Sequence, residues 1–177
     1  MENFVEGLKF PWKRPVALLN ILWIFIPILG MFALMGYVRK IVLELSKGNK
    51  SELPKFGNFW DNLGVGFKLF VYFIPTLIVL ILIDIIPVIG PIISLLISLS
   101  LLPWLIINLY IKNEFSAVWE IKEAFEAIKN NIMDYLIALL KTIGFVIIYG
   151  IASIILIGIP AYMFGSMYYL VDFYKKK

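Results

Sequence analysis

The Lys and Arg residues of this chain, sixteen in all, avoid the places where its apolar runs break. Three long apolar stretches are interrupted at an Ile-Pro step: Ile26-Pro27, Ile86-Pro87 and Ile159-Pro160. No basic residue lies within ten positions of any of them. The basic residues collect in the N-terminal arm (Lys9, Lys13, Arg14), between Arg39 and Lys68, between Lys112 and Lys141, and in the tail Lys175-Lys176-Lys177. Proline removes a helical hydrogen bond and clashes with the preceding turn, so each step is a natural point for a helix to break. If each break is the tip of a helical hairpin, all the positive charge falls on one side. That is the positive-inside pattern of a membrane-inserted protein. The expected fold is an all-α integral protein of the cell membrane with both termini cytoplasmic. It forms one membrane domain over residues 1–177, with hairpin repeats at about 1–45, 58–111 and 115–174.

The composition agrees with that class. The chain is 62% hydrophobic with a mean hydropathy of +0.93, against about 45–50% apolar residues in soluble domains. Leu69 to Ile111 carries one charge, Asp84, and Thr142 to Val171 carries none. A span needs about 20 apolar residues, so the first of these runs holds two helices and the second two short ones. No cleavable leader is expected, because mixed residues precede the first apolar run without a small-residue cleavage site after it. The net charge of +4 flanks apolar runs, so it points to anionic lipid headgroups rather than nucleic acid, at about 1 kcal/mol per near-surface cation. The chain has no Cys and no His, which removes disulfides, thiol catalysis and the commonest metal ligand. No cofactor or metal is expected.

Part of the pattern repeats at an offset of 60 residues: Pro15/Pro75, Ile26/Ile86, Pro27/Pro87 and Gly30/Gly90. The arms differ in length. Val16–Ile26 and Ile28–Val38 have 11 residues each, about 16 Å as helix, half of the ~30 Å hydrocarbon core. The first hairpin is therefore either re-entrant, with its tip shielded by protein, or one kinked span from Val16 to Val38. The third hairpin would turn at Pro160. Between the second and third, Phe115 to Asn131 reads as one interfacial amphipathic helix, with Val118, Ile121, Phe125, Ile128 and Ile132 on one face.

Three ionisable residues stand out as candidates. Asp84 lies near a tip, where a cation or proton site is one reading and a solvated turn the other. Asp134 and Lys141 share a helix face two turns apart, either as a buried pair or with Lys141 snorkelling to the interface. Small residues recur at Gly90, Ser94 and Ser98 and at Ala161 and Gly165, a spacing that suits close helix packing. No P-loop, dinucleotide or nucleophile–base constellation occurs, and no enzyme activity is expected.

Residues 36 to 66 carry a more specific signal. Gly36-Tyr37-Val38-Arg39, then Gly48, Leu53-Pro54-Lys55-Phe56, Trp60 and Gly66 resemble the prokaryotic membrane family called domain of unknown function 4013. That family pairs a GY-x-x-[RK] helix end with an LP-x-[FW] loop and a following Trp. The Gly158-Ile159-Pro160 step and aromatic terminal helix are similar to the same family and to glycerophosphodiesterase-associated membrane domains. The acidic residues usual after the LP-x-F step are replaced by Gly57 and Asn58. The resemblance implies a multipass helical architecture and no particular activity.

The function expected from these readings is non-catalytic: a membrane scaffold, or a partner-binding or bilayer-shaping protein that meets a membrane-protein partner or a second copy of itself. The alternative is a small-solute transporter or channel, which Pro-broken repeats also serve. It would need convergent polar groups at mid-depth, where Thr76, Ser94, Ser98 and Ser153 are the few available.

Overall fold

A computed structural model describes residues 3–176, which are helical with no strand among them. The N-terminal arm begins with α1 (Phe4–Lys9), capped by Asn3, whose side chain accepts from the Val5 N–H. It continues through a 3₁₀ turn, Phe10–Lys13, into α2 (Pro15–Leu18) and a second 3₁₀ stretch, Leu19–Phe25. The chain then reverses. Ile28 takes φ 65° and ψ −61°, and the Leu29 N–H donates to the Pro27 carbonyl at 2.6 Å. This is a γ-turn of the positive-φ kind, strained for a β-branched residue. A Cβ on Gly30 would lie 1.7 Å from the Trp23 carbonyl oxygen, so only glycine lets the returning helix leave the turn this closely.

The returning helix, α3 (Leu29–Ser46), packs back on Leu19–Phe25. The first apolar run is thus a fold-back and not one kinked helix. Arg14 precedes it and Leu53 follows it, and Arg14 Nη1 donates to the Leu53 carbonyl at 3.2 Å. The helix also outruns the expected arm end at Val38, because Arg39, Lys40 and Glu44 are good helix formers. It stops at Gly48, φ 88°, where the Asn49 N–H donates back to the Glu44 carbonyl in the left-handed C-terminal arrangement that favours glycine.

Asn58 then caps α4 (Phe59–Asp84), accepting from the Trp60 and Asp61 N–H groups. Two glycines set the crossing of α3 and α4. A Cβ on Gly36 would sit 2.0 Å from the Asn62 carbonyl oxygen, and one on Gly66 would sit 1.8 Å from that of Phe32. The backbones touch there, and the Phe32 ring meets Phe67 edge-to-face and Phe70 at a tilt. At 26 residues, α4 is about 39 Å long. It ends in a turn with the geometry of the first: Val88 has φ 66° and ψ −55°, Ile89 N–H donates to Pro87 O at 2.7 Å, and a Cβ on Gly90 would meet Ile83 O at 2.1 Å.

The return is made by α5 (Ile89–Ser100) and α6 (Leu102–Lys112), bent by 50°. Pro103 lacks the N–H that would serve the Leu99 carbonyl. The Tyr135 hydroxyl donates to the Leu99 and Ser100 carbonyls instead, at 3.2 and 2.5 Å. A left-handed Asn113 ends α6. A 3₁₀ turn, Phe115–Val118, then leads to α7 (Ile121–Asn130) and α8 (Ile132–Ala152). The single helix expected over Phe115–Asn131 is therefore divided. The Ala117 carbonyl accepts from Asn108 Nδ2, and the Ile121 N–H donates to Trp119 O, so the bond a continuous helix needs there is not made.

The third reversal also departs from expectation. It runs through Ser153–Ile155 and Leu156, which has φ 62°, ahead of Ile159-Pro160. Pro160 lies in the first turn of α9 (Gly158–Gly165), where a backbone N–H has no intrahelical acceptor to lose. The chain ends with α10 (Tyr168–Tyr174), buried along most of its length.

Among the described residues two stretches, α4 and Ile132–Ile155, are long and apolar enough to cross a bilayer, and α5 with α6 makes a third if the bent pair counts as one span. The core lies at one end. Trp104, Tyr37, Tyr168, Phe10, Phe145 and Phe164 fill it. Between Phe70 and Pro103 no residue but Gly90 is buried. The first turn stops well short of the second: Ile28 and Phe70 line one cavity, and α4 runs on to Asp84, about 20 Å further.

Candidate functional site at the basic end

The loop from Asn49 to Asn58 closes over the start of the first fold-back. Leu53 is fully buried, and the Tyr37 hydroxyl donates to the Pro54 carbonyl at 2.8 Å. Lys40 Nζ donates to the Phe56 carbonyl at 2.8 Å, and the buried Asn62 donates to the same oxygen from α4 at 2.9 Å. The Phe56 ring stacks on Trp23, and Trp23 packs on Phe59. The GY-x-x-[RK] and LP-x-F segments thus meet where a tyrosine, a lysine and an asparagine satisfy two loop carbonyls, those of Pro54 and Phe56. Lys40, which falls on the basic position of GY-x-x-[RK] when counted from Gly36, makes the contact, while the Nε of the preceding Arg39 is buried without a hydrogen-bond partner. Asn62 Oδ1 is likewise buried and unpaired. Trp60 points outward, 68% exposed.

Beside this loop, Arg14, Asn20 and Lys55 line a cavity of about 130 Å³. Arg14 Nη1 also lies 3.9 Å from Glu52 Oε1. The sequence marked Arg14 only as a counter of sidedness, and Lys55 as that and as the variable position of the LP-x-F step. A contact between positions 14 and 53 has no periodic signature that could have announced it.

A second polar cluster joins α6, α7 and α10. Asn108, 0% exposed, donates to Glu120 Oε2 at 2.7 Å and accepts from the Tyr174 hydroxyl. Lys112 Nζ donates to the same Glu120 oxygen. Burial works against the charged carboxylate, but the bonds from Lys112 and Asn108 and the Lys112 charge outweigh it. They hold Glu120 below the usual carboxylate value. Every polar partner here is engaged, as a structural joint requires.

The three ionisable candidates are not brought together. Asp84 is exposed at the end of α4. Asp134, at the opposite end of the molecule's long helices, accepts from Lys176 Nζ at 2.7 Å, so its ion pair reaches the tail. Lys141 is half-buried two turns further along α8. Of the small residues, Gly90 meets the backbone at Ile83, and Gly165 packs on Phe145 and Pro11. Both serve close contact.

The model of a family described as a protein of unknown function, DUF4013, matches residues 19–158. No curated protein and no solved structure matches the chain.

Proposed function

The chain belongs to the DUF4013 family of unknown function, and we propose from its own geometry that it is a non-catalytic membrane scaffold that shapes the bilayer. One observation carries the reading: the mass of the protein is gathered at the basic end. The N-terminal arm, the first fold-back, α7, α9 and α10 all pack there, while only bare hairpin tips reach the far end. In a bilayer with the basic end cytoplasmic, the first fold-back is a re-entrant wedge confined to one leaflet. Its outward face supports that placement, since Val16, Leu19, Leu22 and Phe25 are 73, 62, 55 and 79% exposed. They recur every third residue, as a 3₁₀ helix eclipses them. The exposed Ile121 and Phe125 of α7, with Trp119 and Ile132 beside them, support a helix lying in the same interface. The matching turns at Ile28 and Val88 support two repeats of one hairpin unit. Protein volume inserted into one leaflet expands it and favours curvature.

Reconstituted at high density, the protein narrows or tubulates vesicles, measured by electron microscopy and light scattering. Vesicles of unchanged size with a raised solute flux would replace the scaffold with a transporter.

A further inference from the structure

The cavity beside the loop is not closed. Val16 and Asn20, which line it, also line a larger groove of about 490 Å³ with Leu19, Leu22, Trp23 and Ile26. A small cationic chamber therefore opens onto a long apolar trough. Trp23 borders the trough and stacks on Phe56, a wall of the chamber. The charge balance of the chamber is positive. Lys55 is exposed and makes no ion pair or hydrogen bond among the described residues. Arg14 spends one of its five N–H donors on Leu53, and the nearby Glu52, at 3.9 Å from Nη1, is more than half exposed. A guanidinium fork beside an ammonium suits phosphate oxygens.

We propose that chamber and trough together bind one anionic phospholipid. The phosphate sits between Arg14 and Lys55, Asn20 marks the seam, and one acyl chain lies along Leu19, Leu22 and Ile26. An anionic headgroup fits better than a zwitterionic one, because a choline would bring a third positive charge to a site that already has two. The site rests on the membrane placement proposed above and gives it a defined lipid contact, at the level where the first fold-back enters the bilayer.

The test is native mass spectrometry of the full chain in neutral detergent, titrated with phosphatidylglycerol, phosphatidylcholine or inorganic phosphate. One phosphatidylglycerol per chain is retained at least tenfold better than phosphatidylcholine, and millimolar phosphate does not displace it. Arg14→Gln with Lys55→Gln removes the preference. Lys55→Gln alone weakens it without touching any internal contact, and Leu22→Trp, which fills the trough, weakens retention at unchanged charge. Lys122→Gln with Lys129→Gln, cations on α7, leaves retention as it was. Equal retention of the two lipids, displacement by free phosphate, or an equal loss in the α7 variant would overturn the site. A protein that tubulates vesicles yet holds no phosphatidylglycerol loses the site and keeps the scaffold reading. One that fails to insert into vesicles at all loses both.

Discussion

Replacing Gly66 by Ala tests the α3–α4 crossing on which the basic end is built. The new Cβ would lie 1.8 Å from the Phe32 carbonyl oxygen and 2.8 Å from the Gly36 nitrogen. Both atoms are backbone, so no rotamer change relieves the clash. An ordinary contact is about 3.5 Å, so the helices must part by more than ~1 Å along their shared face. Overpacking of this kind costs about 1–3 kcal/mol, and this case belongs at the upper end. Against it, Ala is favoured over Gly within a helix by about 1 kcal/mol. Gly64, two residues earlier in α4, supplies the control, since a Cβ there meets nothing within 4 Å. Gly64→Ala therefore stabilises by about 0.5–1 kcal/mol, while Gly66→Ala destabilises by about 2 kcal/mol. Both are measured by reversible unfolding in mixed micelles, followed by helical circular dichroism. If the two variants agree within about 0.5 kcal/mol, the helices do not cross as described and the reasoning fails.

Two further outcomes follow from single groups. Tyr135→Phe removes the only side-chain donor that the Leu99 and Ser100 carbonyls have among the described residues and lowers stability by about 1 kcal/mol in the same assay; no change would mean that the bend needs no support. The second concerns pH. Because Glu120 ionises below the usual carboxylate value, its contribution is complete above about pH 4.3 and is lost as pH falls through its lower folded-state value. Stability measured from pH 7 to 3 therefore shows an acid decline that Glu120→Gln flattens, and an unaltered decline in that variant would place it elsewhere.

The parts of the fold written locally were the legible ones. An Ile-Pro step followed by a glycine three residues after the proline reverses the chain at both Ile28 and Val88, because proline stops the helix and only glycine tolerates the close return. Gly48 marks a helix end for an equally local reason. The third reversal was misplaced because a proline in a first helical turn leaves no trace of strain, so Pro160 reads like a breaker and acts as a helix start. The division at Trp119 was hidden in the same way: Asn108 takes the Ala117 carbonyl from another helix, and no pattern within Phe115–Asn131 shows that. The basic end itself was the least legible. Arg14, Lys40 and Lys55 looked like charges that set orientation. Their loop carbonyls and cavity walls come from segments far apart in sequence.

The fold-back of the first apolar run is the central claim, and single-cysteine labelling tests it without background, since the chain has no Cys. Gly90 cannot carry a probe, because any Cβ there meets Ile83 O at 2.1 Å. Val5, Lys47 and Ile86 can: Val5 and Ile86 are 47 and 51% exposed, and the Lys47 side chain is 67% exposed. An impermeant thiol reagent applied to intact cells should label the Ile86→Cys protein, and should label Val5→Cys and Lys47→Cys only after permeabilisation. Labelling of Val5→Cys together with Ile86→Cys in intact cells, with Lys47→Cys still protected, would contradict the account: the first apolar run would then cross the membrane once.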